Sequence, residues 1–195
     1  MARKELKNIF LSASIPLPER DPRYYETADV IAIRDAVIAL CSTVLPNHRL
    51  IWGGHPSITP LVNYVLQKLN MEVQDHVLLY QSKFFEKFYP EDNNKFENVI
   101  LTPVSEERDS SLRTMRELML GGKEFAAGIF IGGMEGVEDE YKMFKEFHPN
   151  AIIIPLASTG AAAKIIYENS INKNERFLTD YAFSSIFQEF LIDKI

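Results

Sequence analysis

Two rhythms of apolar residues alternate along the chain. One is a short run with little polar alternation: residues 8–14 (NIFLSAS), 49–54 (RLIWGG), 76–81 (HVLLYQ), 98–103 (NVILTP), 126–133 (AAGIFIGG) and 151–159 (AIIIPLAST). Such runs mark strands covered on both faces, as in a parallel sheet. The other rhythm is helical. Val30, Ile33, Val37, Leu40, Cys41 and Val44 share a face, with Thr27 as the expected N-cap and Pro46 as the stop. Leu61, Val62, Val65, Leu66 and Leu69 mark a second helix, and Leu112, Met115, Leu118 and Met119 a third, ended by Gly121-Gly122. Val137, Tyr141 and Phe144 define another, and residues 160–169 and 179–194 are expected to close the chain as helices. Strand and helix in alternation predict an α/β fold: a Rossmann-like three-layer α/β/α sandwich with a mostly parallel sheet of about six strands.

The 195 residues fit a single domain spanning 1–195. A net charge of -6 argues against a general nucleic-acid surface. No apolar run is long enough to predict a membrane span, and the N-terminus lacks the pattern of a signal peptide, so a cytoplasmic location is expected. Cys41 is the only cysteine and the four histidines have no ligand spacing, so neither a metal site nor a bound cofactor is expected.

In folds of this class ligands sit outside the carboxyl ends of the strands. Those ends carry Ser12 and Ser14, residues 53–59, Gln81 and Ser82, residues 102–105, residues 132–136 and residues 157–160. The first glycine turn, Gly53-Gly54-His55 with Ser57 and Thr59, leads into Pro60, a good helix start. No acidic residue stands between Ile51 and Met71, in a chain with 27 of them. With Thr59 as the expected N-cap, the helix N-terminus there would suit phosphate, with free backbone N–H groups expected near Ser57 or Thr59. His55 and Lys68 are the cation candidates of that stretch. In the second turn Glu135, Glu138, Asp139 and Glu140 follow Gly132-Gly133-Met134. They match the helix dipole, and a carboxylate here also suits ribose hydroxyls or acid/base work. Arg113 and Arg116 share a face of the intervening helix, where an anion or an ion pair such as Arg113 with Glu117 would answer them. The segment from Ser14 to Thr27, with three prolines, reads as a solvated loop or a lid carrying Tyr24 and Tyr25.

Together these residues resemble the SLOG superfamily of Rossmann-like domains, which includes the LOG nucleotide phosphoribohydrolases and sensor domains linked to TIR and anti-phage defence proteins. IWGGHPSITPL stands where LOG proteins have a glycine-rich phosphate loop. LRTMRELML, followed by AAGIFIGGMEGVEDE, resembles their arginine helix, strand and second glycine motif. The resemblance implies that Gly132, Gly133 and Gly136 are the motif glycines, Glu140 the catalytic glutamate, and Arg116 or Arg113 the family's arginine. It departs from the pattern at Ile131 and Val137, which replace proline and threonine, and by one residue inserted between Gly133 and Gly136. It further implies a ligand site built from Ser12, Ser14, Gly53, Gly54, His55, Ser57, Thr59, Arg113, Arg116, Gly132, Gly133, Met134, Glu135, Gly136, Glu140 and Thr159. The implied function is binding or sensing of a nucleotide derivative of the ADP-ribose type, in a homo-oligomer or with an effector partner. The alternative is hydrolysis of a nucleotide N-glycosidic bond through Glu140 and Arg116.

Overall fold

The computed structural model describes residues 6–69, 74–171 and 173–195. Its strands are β1 (Asn8–Ser14), β2 (Arg49–Trp52), β3 (Val77–Ser82), β4 (Val99–Thr102), β5 (Ala127–Gly132) and β6 (Ile152–Leu156). They form one sheet in the order β4-β3-β2-β1-β5-β6, and every pairing is parallel. The helices are α1 (Pro22–Tyr25), α2 (Val30–Val44), α3 (Thr59–Leu69), α4 (Arg108–Gly121), α5 (Glu135–Phe147), α6 (Ala161–Glu168), α7 (Glu175–Thr179) and α8 (Phe183–Phe190).

Side chains alternate across a strand, so the inner strands feed two cores, while the edge strand β4 leaves Ile100 and Leu101 exposed. Ile9 and Leu11 of β1 pack with α2, α3 and α8 through residues such as Ile33, Val37, Val62 and Ile186. Phe10 belongs to the opposite layer, with Met115 and Met119 of α4, Phe144 of α5 and Ile166 of α6. Phe10 stacks on Phe144 with ring centroids 5.4 Å apart. The result is a Rossmann-like three-layer α/β/α sandwich. The chain runs from β1 outward through β2, β3 and β4, then returns to place β5 on the other side of β1. That reversal opens a crevice at the carboxyl ends of β1 and β5.

Three local expectations change. Thr27 does not cap α2; the Asp29 side chain does, accepting from Ala32 N–H at 2.9 Å. The Thr27 hydroxyl instead accepts from Ala161 N–H at the start of α6. Leu118 is 49% exposed, because α4 packs against α5 as well as the sheet and turns its buried face toward Leu120. The expected closing helix of residues 179–194 is broken: α7 ends at Thr179, α8 begins at Phe183, and Ile192–Lys194 is a 3-10 turn. The polar stretch after β3 is also ordered, as 3-10 turns over Lys83–Phe88 and Glu91–Lys95.

Candidate functional site

Alternation along β1 turns Ser12 toward the layer of α4 and α5. There its hydroxyl donates to Glu140 Oε2 at 2.5 Å. Arg116 reaches from α4 to the same carboxylate, Nε to Oε1 at 3.2 Å. A second guanidinium N–H donates to the Gly136 carbonyl at 3.4 Å, and Asp139 lies 3.8 Å away. The Arg116 and Glu140 side chains are only 12% and 14% exposed. Glu140 is thus held between Ser12 and Arg116. It lies one helical turn beyond Gly136, on the face of α5 toward α4.

The Gly53-Gly54 turn passes beside this cluster. A Cβ on Gly53 would lie 3.1 Å from the Met115 methyl and 3.9 Å from Glu140 Oε1. Gly54 has φ +61, and a Cβ there would lie 2.0 Å from the Gln81 amide nitrogen. The two glycines therefore make the floor between two side chains, Glu140 on one side and Gln81 on the other. Above it is a cleft of about 910 Å³ that also receives Ser14, His55, Arg113, Met134, Glu135 and Gly136. Both glycine turns thus serve one cleft. Its walls carry five cations (Arg20, Arg108, Arg113, Arg116, Lys142) and five carboxylates (Asp109, Glu135, Asp139, Glu140, Glu146).

Six of the expected site residues lie behind the cleft wall and bear structure instead. Ser12 supports Glu140. The Ser57 hydroxyl accepts from Ile15 N–H at 3.3 Å and meets His55 Nδ1 at 2.8 Å. Thr59 is fully buried as the first residue of α3, and accepts from the Trp52 indole at 3.3 Å rather than capping the helix. Thr159 is fully buried, donates to Leu156 O and accepts from Gly132 N–H. Gly132 and Gly133, both at positive φ, shape the second turn from beneath, and Gly133 N–H donates to Ser14 O at 2.8 Å.

The expected free N–H groups of the first turn are not there. Ser57 N–H donates to His55 Nδ1, and those of Ile58 and Thr59 to His55 O. His55 is not a cation either: burial lowers its pKa to about 4, so the ring is neutral at pH 7. Lys68 lies in the last turn of α3, over the Tyr64 ring. The second turn differs, since no side chain caps the N-terminus of α5. Arg113 forms the i,i+4 pair with Glu117 at 2.8 Å and is 76% exposed.

The proline-rich segment is a largely exposed loop that is tied down at Arg20 and Tyr24, so the buried Tyr24 is not a free stacking face. Arg20 pairs with Glu135, and the buried Tyr24 phenol donates to Glu138. Burial and the Glu138 carboxylate push the Tyr24 pKa up, so it stays a donor. Of the four carboxylates expected to crowd the second turn, Glu135 and Glu138 are answered by this segment, Asp139 by Arg116 and Lys142, and Glu140 by Ser12 and Arg116. Gln81, Phe85, Phe88 and Arg20 are cleft residues that the motifs did not reveal. The one trace in the sequence was a carboxamide ending an apolar strand.

An α/β/α fold with a mixed-charge cleft at its strand-order reversal is a Rossmann-like ligand-binding architecture. A family model described as the SLOG cluster3 family matches residues 23–191, and the chain belongs to that family. No curated protein matches the sequence. Among solved structures, the X-ray structure of TM1055 is similar in fold, with a TM-score of 0.59 at 15% identity over 88% of this chain and 89% of that one. Among the described residues no helix is long and apolar enough to cross a membrane.

Proposed function

We propose that the cleft binds a nucleotide-derived small molecule, of the ADP-ribose type or a related signal, as a sensor module. The observation that carries this reading is the Ser12–Glu140–Arg116 cluster, held rigid at the edge of the cleft floor. A carboxylate fixed by two donors still has lone pairs to accept from ribose hydroxyls. Phosphate belongs at the cleft rim, with Arg20 at the uncapped start of α5 and Arg108 and Arg113 of α4 on the cleft wall. Their ion pairs with Glu135, Asp109 and Glu117 are largely exposed and individually weak, so exchanging a carboxylate for a phosphate costs little. A sensor acts through something else, so a homo-oligomer or an effector partner completes the proposal, with bacterial anti-phage defence as its setting.

Calorimetric titration and thermal melting with ADP-ribose and AMP test it. A ligand at 100 times its Kd adds about 2.7 kcal/mol, which raises Tm by roughly 5–11 °C in a chain of this size. The ligand should be recovered intact. The second reading, N-glycosidic hydrolysis, is favoured by the pairing of Glu140 with Arg116 in the cleft. Release of free base, stopped by Glu140→Gln, would establish it in place of the sensor.

A further inference from the structure

Gln81 is the penultimate residue of β3, its backbone carbonyl accepting from the Thr102 hydroxyl. Its side chain is unlike the other polar groups at the strand ends. The residue is 4% exposed and lines the cleft, yet its carboxamide has no hydrogen-bond partner among the described residues. The carboxamide is therefore open to cleft water, and a ligand that enters the cleft can take over those hydrogen bonds. The space for this side chain is reserved: Gly54 is the residue that any Cβ would turn into a clash with it, at 2.0 Å from Nε2 and 2.6 Å from Cδ. Directly after β3 the 3-10 turn Lys83–Phe88 brings Phe85 and Phe88 to the same wall. Phe88 is 73% exposed, a large aromatic surface presented at a cleft mouth. Tyr89 beside it is fastened by its hydroxyl to Ser82 O at 2.7 Å.

A carboxamide offers a donor and an acceptor side by side, and aromatic rings offer a stacking face. Resting on the nucleotide-binding reading above, we infer that this wall is the base subsite. There Gln81 reads a planar ring that carries an adjacent donor and acceptor, and Phe85 and Phe88 stack on it. Adenine, with its amino group beside a ring nitrogen, and nicotinamide, with its own carboxamide, share that chemistry. Gly53 lies by Glu140 and Gly54 by Gln81, so the two side chains flank one floor. A single nucleoside laid across the two glycines meets Glu140 with its ribose and Gln81 with its base.

The test is calorimetry with AMP, nicotinamide mononucleotide, purine riboside 5′-monophosphate, which lacks the amino group, and ribose 5-phosphate, which lacks a base. ADP-ribose serves as the wider probe. Wild type should prefer AMP or nicotinamide mononucleotide over the purine riboside by roughly 5- to 150-fold, the discrimination of one bidentate pair. Which of the two binds identifies the ring. Gln81→Met should erase that preference while leaving ribose 5-phosphate binding unchanged. Gln81→Glu keeps the volume and should lose the same contact, since a carboxylate only accepts; it replaces the methionine variant if that one does not fold. Unchanged affinity of a folded Gln81 variant for AMP and nicotinamide mononucleotide overturns the assignment. Equal wild-type binding of all four probes overturns it too, but leaves the nucleotide reading standing. Binding of none of them, ADP-ribose included, brings down both.

Discussion

Glu140→Leu should weaken the fold itself, and the size of the loss is set by what it strands. Arg116 is 12% exposed and donates to Glu140 at 3.2 Å. Without that carboxylate it keeps the Gly136 carbonyl at 3.4 Å and a distant Asp139. Breaking one side of a fully buried pair costs about 3–5 kcal/mol. The cleft admits some water and two acceptors remain, so roughly 2–3 kcal/mol is expected here. For a chain of this length that lowers Tm by roughly 4–12 °C. Glu140→Gln keeps the shape and an acceptor for Ser12, and should lose less. Arg116→Met alone leaves Glu140 with Ser12 as its remaining side-chain donor and should also destabilise. The double variant Arg116→Met/Glu140→Leu removes both charges from a site walled by Met115 and Met119. It should be more stable than the sum of the singles by at least about 1 kcal/mol. Urea denaturation of wild type, both singles and the double variant closes the cycle. Additivity within about 0.5 kcal/mol would show that the two charges are independently solvated and that the buried cluster is not a unit.

The glycines of the first turn should separate. Gly53→Ala meets only the mobile end of Met115 at 3.1 Å and should cost under about 1 kcal/mol, whereas Gly54→Val, at φ +61 and against Gln81 and Leu79, should cost about 2 kcal/mol or more and abolish ligand binding; melting and titration of both variants check this. His55 has a folded pKa of about 4, below its ordinary 6.5. The unfolded chain therefore takes up the proton first as pH falls. The stabilisation is full above about pH 6.5 and is lost down to about pH 4, amounting to roughly 3 kcal/mol at most. Urea midpoints compared at pH 7 and pH 4.5 should show this slope, and His55→Asn should flatten it. Arg113→Ala removes an exposed i,i+4 pair and should change stability by less than about 0.5 kcal/mol in the same assay. If Arg113 holds phosphate, the variant should still weaken AMP binding and reduce its dependence on salt.

The sequence by itself determined the layers. Apolar runs without alternation required strands covered on both sides, and the helical spacing of residues such as Val37, Leu40 and Val44 supplied the cover. It also carried the two glycine turns, because those lie at fixed offsets within local motifs, whereas the Arg116–Glu140 pair joins two helices and came from the packing of α4 on α5. What it could not carry was how each polar group is used. Ser12, Ser57, Thr59 and Thr159 have the chemistry of ligand-binding hydroxyls, but packing gave each a protein partner: Glu140, His55, Trp52 and Gly132. The acid-free first turn reads as a phosphate site, yet His55 takes up its backbone N–H groups and burial keeps that ring neutral. Gln81 is the opposite case. Nothing around it in sequence distinguishes it, and its importance comes from Gly54, 27 positions earlier, which only the β2–β3 pairing brings beside it. Local pattern decides which elements form, since that depends on neighbours a few residues away. Whether a hydroxyl or an amide is left unpartnered depends on every element that packs around it, and that is settled by tertiary structure alone.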